Sequence, residues 1–397
     1  MSKLLGSVEA VVLSSLLILA PMCHGQTWTQ TSAPTANWTS IASCADGSNL
    51  VAVVGGGPIY CSTNSGLNWA IADAPVTNWR SVACSAGGTR WVAVVSDGGI
   101  YLSTNSAATW TSTSAPSQDW QAVVSSADGN QLLAAAAFST YASWAGGATW
   151  TLATAPSWYL NGAAASADGT KLVIAGMDFV HLMDPDSIYT STNSGVTWTL
   201  GNVSDKWGAV AESADGAVLV GAASSPYGIG RIYTSIDSGD NWTPTSAPNV
   251  GRHSVAVSAD GARLVPSVGF AGPFGSHSGP IYTSTNSGVT WSSNNVPDAF
   301  VVTSSADGSK LAAVTLGSGI WVSQSTSTPP LKLAVSGSAS LISWTVPSTT
   351  FVLQANSNPN TSNWSDETNT PTLNLTTLRN EVSVPVEPEA HFYRLKH

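Results

Sequence analysis

The chain has 397 residues and a formal net charge of −10, with only 9% of its residues charged, well below the roughly 25% of an average soluble protein. So few Lys and Arg, set in an acidic total, exclude a phosphate-backbone partner such as DNA or RNA. Ser, Thr, Gly, Ala and Asn take the place of charge, a composition suited to an exported all-β protein.

Residues 1–25 read as a secretory signal peptide. Lys3 supplies the positive start, residues 11–20 form an apolar run, and cleavage is expected before Gln26. A run of ten residues is too short to span a bilayer, and no later segment is apolar enough for a membrane helix. The mature chain keeps Cys44, Cys61 and Cys84. These are read first as small buried residues; one disulfide among them is the alternative.

From residue 26 the sequence repeats. A closing Trp recurs at 28, 69, 110, 150, 198, 242 and 291, spaced by 41, 41, 40, 48, 44 and 49 residues. Each unit runs from a Trp-led apolar segment through "SADG" and a second apolar run to a phrase like "IYTSTNSGVTW", which stands unchanged at 188–198 and 281–291. The apolar runs are short, β-branched and separated by Gly, Asp and Asn, so each unit predicts four strands joined by tight hairpins. Units of about 40 residues with four strands each predict a β-propeller. The "ADG" turn occurs at Asp46, Gly87 (as "AGG"), Asp128, Asp168, Asp215, Asp260 and Asp307, which gives seven blades. The last unit has no closing phrase, and the chain opens on a lone closing strand. The N-terminal strand is therefore expected to complete blade seven, pairing an otherwise bare edge.

The closing phrase resembles the Asp-box motif of the sialidase-type (BNR) repeat families, a group that is also similar to the propellers of photosystem II assembly factors and sortilin-like receptors. It stands here as Ser62, Asn64, Gly66 and Trp69; as Asn105 and Trp110, with Ala107 for the Gly; as Asn193, Gly195 and Trp198; as Asp237, Gly239 and Trp242; and as Asn286, Gly288 and Trp291. The resemblance implies a structural role for the motif, on the face opposite the ligand. It also implies the sialidase requirements: an arginine triad, a Tyr/Glu pair and an acidic Asp. The propeller has only Arg80, Arg90, Arg231, Arg252 and Arg263, and its sole Glu, Glu212, directly precedes a turn. Sialidase activity is not expected.

Residues 326–330 read as a linker. Residues 331–397 alternate with period two and predict a small β-sandwich, similar to the fibronectin-like modules of secreted bacterial proteins. The expected domains are thus 1–25, 26–325, 326–330 and 331–397.

Blades four to six carry longer connections at 176–187, 223–231 and 268–280, all on the top face, opposite the turns. Irregular loops on a regular scaffold are the usual place for binding. The candidate ligand residues are Asp178, His181, Asp184, Asp186, Tyr227, Arg231 and His277, with Arg252 and His253 beside the channel mouth. Trp207, nine residues before its turn Gly, is added as a stacking surface; packing beneath its own loop is the alternative. No motif calls for a metal or cofactor. The expected function is non-catalytic binding of a glycan or an extracellular protein by a monomer. A glycoside hydrolase or lyase using top-face Asp residues, and an adhesive scaffold, remain alternatives.

Overall fold

The computed structural model describes residues 27–156, 159–177, 187–223, 230–249, 251, 254–272, 275–296, 298–315, 317–325, 331–336, 339–346, 351–385 and 391–396. These residues form antiparallel strands in small sheets with no α-helix. Among the described residues no helix is long and apolar enough to cross a membrane.

The third repeat shows the pattern. Strands Trp120–Ser125, Leu132–Ala136, Thr140–Ser143 and Thr151–Leu152 follow one another in one antiparallel sheet. The fourth and fifth repeats form sheets of the same order. The first two are joined edgewise by the pairs Gly55↔Asn78 and Gly57↔Thr77. In the sixth, two hairpins meet through a bridge between Leu264 and Ser284. The last repeat, Ala299–Ser304, Lys310–Thr315 and Ile320–Gln324, takes the N-terminal strand Trp28–Gln30 as its fourth member, with Trp28 opposite Ser323.

The first strand of each repeat packs on the first strand of the next, and Ala299–Ser304 returns to Trp38–Ser43. The strands therefore close around an axis. Six of these inner strands carry a β-bulge near their start, as between Trp120 and Ala122, which sharpens their twist. The residues that precede these bulges, Trp38, Trp79, Trp120, Leu160, Trp207 and Ala299, are all buried. The four Trp rings meet the Tyr of their own repeat's third strand at 5.1–5.5 Å, as Trp79 does with Tyr101; an Ile precedes that Tyr in three of these repeats and Thr140 does in the other, and each of these preceding residues is fully buried. This explains why "IY" recurs: the two residues pack on opposite faces of one strand, between neighbouring sheets.

A seven-membered ring of backbone hydrogen bonds lies on the axis. Ala45 N–H donates to Ala86 O, and the chain continues through Ala127, Ala167, Ala214, Ala259 and Ala306 back to Ala45 O, with N···O distances of 2.6–3.0 Å. Each Ala belongs to a "SADG"-type turn. In the third, Ser126 Oγ donates to Asp128 Oδ1 at 2.6 Å, and the Asp accepts from Asn130 N–H at 2.9 Å. Gly129 takes φ of +74° there, open to Gly at little cost.

Beyond residue 330, strands Lys332–Ser336, Ala339–Thr345, Arg379–Pro385 and Thr372–Asn374 make one sheet, and Ser365–Asp366, Val352–Asn356 and Phe392–Lys396 a second. Ile342, Trp344, Leu353, Val382 and Val384 form their shared core. The turn before Arg379 puts Leu378 against the alanines of the axial ring.

Trp120 tests the inter-sheet packing. Its ring is fully buried, and its Nε1 donates to Gly98 O at 2.9 Å. Trp120→Ala is expected to destabilise the fold by about 3–5 kcal/mol, read from urea denaturation midpoints.

Candidate functional site

The closing turns hold themselves together. In the fourth repeat, Ser191 Oγ accepts from Gly195 N–H at 2.9 Å and donates to Asn193 Oδ1 at 2.9 Å. Asn193 Oδ1 also accepts from Thr197 N–H, and Trp198 Nε1 donates to Gly195 O. The copies at Ser62, Asn64, Gly66 and Trp69 and at Ser284, Asn286, Gly288 and Trp291 repeat this set. Asn105 and Trp110 keep it too, with Ala107 at φ of +67° in the Gly position. The Ser235 hydroxyl, with Asn241, holds the Asp237 carboxylate down to about 2. Gly239 N–H donates to Ser235 Oγ, while Trp242 packs on Trp207 at 5.5 Å. Each closing turn also bonds the "ADG" turn of its own repeat, as Ser194 N–H does to Thr170 O at 2.7 Å. These side chains are thus occupied in forming turns.

Cys44, Cys61 and Cys84 are free thiols. Cys44 stands where later repeats have Ser: its Sγ donates to Asp46 Oδ1 and accepts from Asn49 N–H. Cys84 occupies the position of Ser43 and Ser125, at the end of its inner strand, and donates to Ser43 O.

Of the expected ligand residues, Asp178, His181, Asp184, Asp186, Tyr227, Arg252 and His253 lie outside the described residues. His277 sits in an added hairpin, Gly269–Gly272 with Gly275–Ser278, paired with Phe270. Trp207 requires a correction. It is fully buried against Tyr233 and Trp242, because its bulged strand turns the indole into the space between sheets, so it offers no stacking surface. Arg231 is exposed. It hydrogen-bonds the Tyr233 hydroxyl, which donates to Asp205 Oδ2 at 2.9 Å. Burial, then Asp205, pushes the Tyr233 phenol up. Arg231, Tyr233 and Asp205 thus gather at the strand ends opposite the turns. Asp205 was not singled out from sequence, since nothing local marks it.

A second feature lies at the turn end. A cavity of about 160 Å³ sits on the axis, lined by the last residues of the inner strands and the alanine ring, with Leu378 at its floor. Glu212 is the charged residue in this wall. Part of its surface faces the cavity, yet Oε2 is buried with no hydrogen-bond partner. Burial pushes the carboxyl up to about 8; Lys171 opposes the rise, and Asp168 and Asp215 add to it. Equivalent positions carry Ser43, Cys84, Ser125, Ala165, Val257 and Ser304. The signal in the sequence was this one Glu in a column of small residues.

No family model matches the chain, and no curated protein matches it. Solved structures do. A structure of YCF48 bound to D1 peptide shares 14% identity over 77% of this chain and 98% of its own, with a TM-score of 0.58. YCF48 from Cyanidioschyzon merolae shares 13% over 75% and 98%, with a TM-score of 0.56. Kuenenia stuttgartiensis hydrazine synthase shares 12% over 75% and 97%, with a TM-score of 0.60. The fold is a β-propeller. At these identities the likeness extends to the fold alone.

The Glu212 carboxyl has a signed consequence. The folded protein keeps this proton to about 8, while the unfolded chain releases it near 4.5. The native state therefore binds more protons between those values, and stability falls as pH rises through that window. Glu212→Gln is expected to be less sensitive: from pH 5 to pH 9 its denaturation midpoint should fall less than the wild type's.

Proposed function

We propose that the chain is an exported, non-catalytic binding protein: a seven-bladed Asp-box propeller, closed by its N-terminal strand and followed by a fibronectin-like sandwich. The ligand face is the one opposite the turns. One observation carries this reading. The axis at the turn end meets Leu378 of the C-terminal region, whereas Arg231, Tyr233 and Asp205 collect at the other end. The longer connections of three consecutive repeats leave from that same end, at 177–187, 223–232 and 267–281.

The partner is a protein segment or a glycan. YCF48 bound to D1 peptide is an instance of a propeller holding a peptide. Both partner classes suit Arg231, able to donate several hydrogen bonds, beside Tyr233 and Asp205. The Asp residues at the turn end support no hydrolysis there. Those in the "ADG" turns are engaged by their own Ser hydroxyls and amides, so they are not placed as an acid–base pair across a bond.

The test is binding of the full chain to a glycan array and to a peptide library, beside Arg231→Ala and a variant with 178–186 shortened to a tight turn. Binding is expected to fall about tenfold or more in Arg231→Ala, on the order of 1.4 kcal/mol, and further in the shortened variant. Undiminished binding in both would overturn the face assignment.

A further inference from the structure

The axial cavity is built for a ligand that donates hydrogen bonds. The hydroxyls of Ser43, Ser125 and Ser304 each donate to the carbonyl of the next residue, at 2.9, 2.9 and 2.8 Å. Their lone pairs remain as acceptors in the wall. The Cys84 thiol donates to Ser43 O. The amides of the alanine ring are taken up by the ring itself. The wall therefore presents acceptors, and the Glu212 side chain that lines it has an Oε2 atom buried without a partner. An unpaired buried polar atom is destabilising, which makes its place on a residue of the cavity wall informative.

The surrounding charge has one sign in excess. Asp168 and Asp215 act on Glu212 with a negative potential, and Lys171 is the cation that opposes them. The Lys171 ammonium is itself bound to Asp215 O and Ser238 Oγ. Across the cavity the facing residues are Ala, Ser and Val with Leu378, none of them charged. The volume of about 160 Å³ has room for a molecule of several non-hydrogen atoms. Acceptors, negative potential and limited space together select a compact cation with N–H donors.

We propose that this cavity is a binding site for a small primary ammonium cation, held by the Glu212 carboxylate with the hydroxyl oxygens of Ser43, Ser125 and Ser304. The site is independent of the ligand face at the opposite end. Binding replaces the proton of Glu212 by the cation: the carboxyl releases H⁺ to solvent, and the ammonium keeps all its protons. Occupancy is thus linked to pH.

Methylammonium titrated calorimetrically into the full-length protein tests this, at pH 7 and pH 9. A carboxyl that ionises at about 8 gives roughly tenfold tighter apparent binding at pH 9 than at pH 7. Tetramethylammonium, which has no N–H donor, is expected not to bind. Glu212→Gln, of the same shape and uncharged, is expected to abolish binding. Ser125→Ala, which removes one acceptor and leaves the carboxylate, should weaken it severalfold. Absence of saturable binding by the wild type would overturn the proposal. So would binding retained in Glu212→Gln, or equal binding of the tetramethyl ion.

Discussion

The fold depends on closure at the axis, and the closing interaction is the ring of alanine amides. Seven repeats arranged around an axis leave seven N–H groups and seven carbonyls pointing at their neighbours. Each Ala N–H finds the next Ala oxygen at 2.6–3.0 Å. A single such bond contributes only about 1 kcal/mol. Leaving one open would orphan a buried donor, so the ring acts as a unit. The turn sequence follows from it. Ala lines the axial cavity, Ser and Asp fasten the turn that presents it, and Gly takes the positive φ that follows. Where Ser is replaced in the first repeat, Cys44 makes the same contacts with Asp46 and Asn49.

From this ring the structure builds outward. The closing turns bond back to the "ADG" turns, and long side chains tie one repeat to the next: Lys310 Nζ donates to Asp46 O and Ser65 Oγ, linking the last repeat to the first. One end of the propeller is thereby taken up by structure and meets Leu378. That division of labour leaves the opposite end free to vary. Glu212 is the exception at the structural end, a carboxyl in a column of Ser, Ala, Val and Cys. Consistency elsewhere is what makes this departure meaningful.

Local chemistry was legible in the sequence, and contacts across repeats were not. The turns could be read because their requirements are met within five residues: Ser126, Asp128 and Gly129 are all that one of them needs. The strand order within a repeat followed from the spacing of those turns. The Ala of the turn carried no visible role, since its partner lies about 40 residues away and neither side chain takes part. Trp207 was legible as an inner-strand residue, but its direction depends on a bulge between Trp207 and Ala209 that no residue type announces. The grouping of Arg231 with Asp205 through Tyr233 joins two different connections, and the seat of Leu378 joins two regions of the chain. Both belong to tertiary structure.

The account's central claim is that the axial ring closes the propeller as one cooperative unit. Native-state hydrogen exchange of Ala45, Ala86, Ala127, Ala167, Ala214, Ala259 and Ala306 tests it most directly. The account predicts that all seven amides exchange only through global unfolding, at one common free energy. Exchange of some of them through local opening, while the middle strands of the same repeats stay protected, would contradict it.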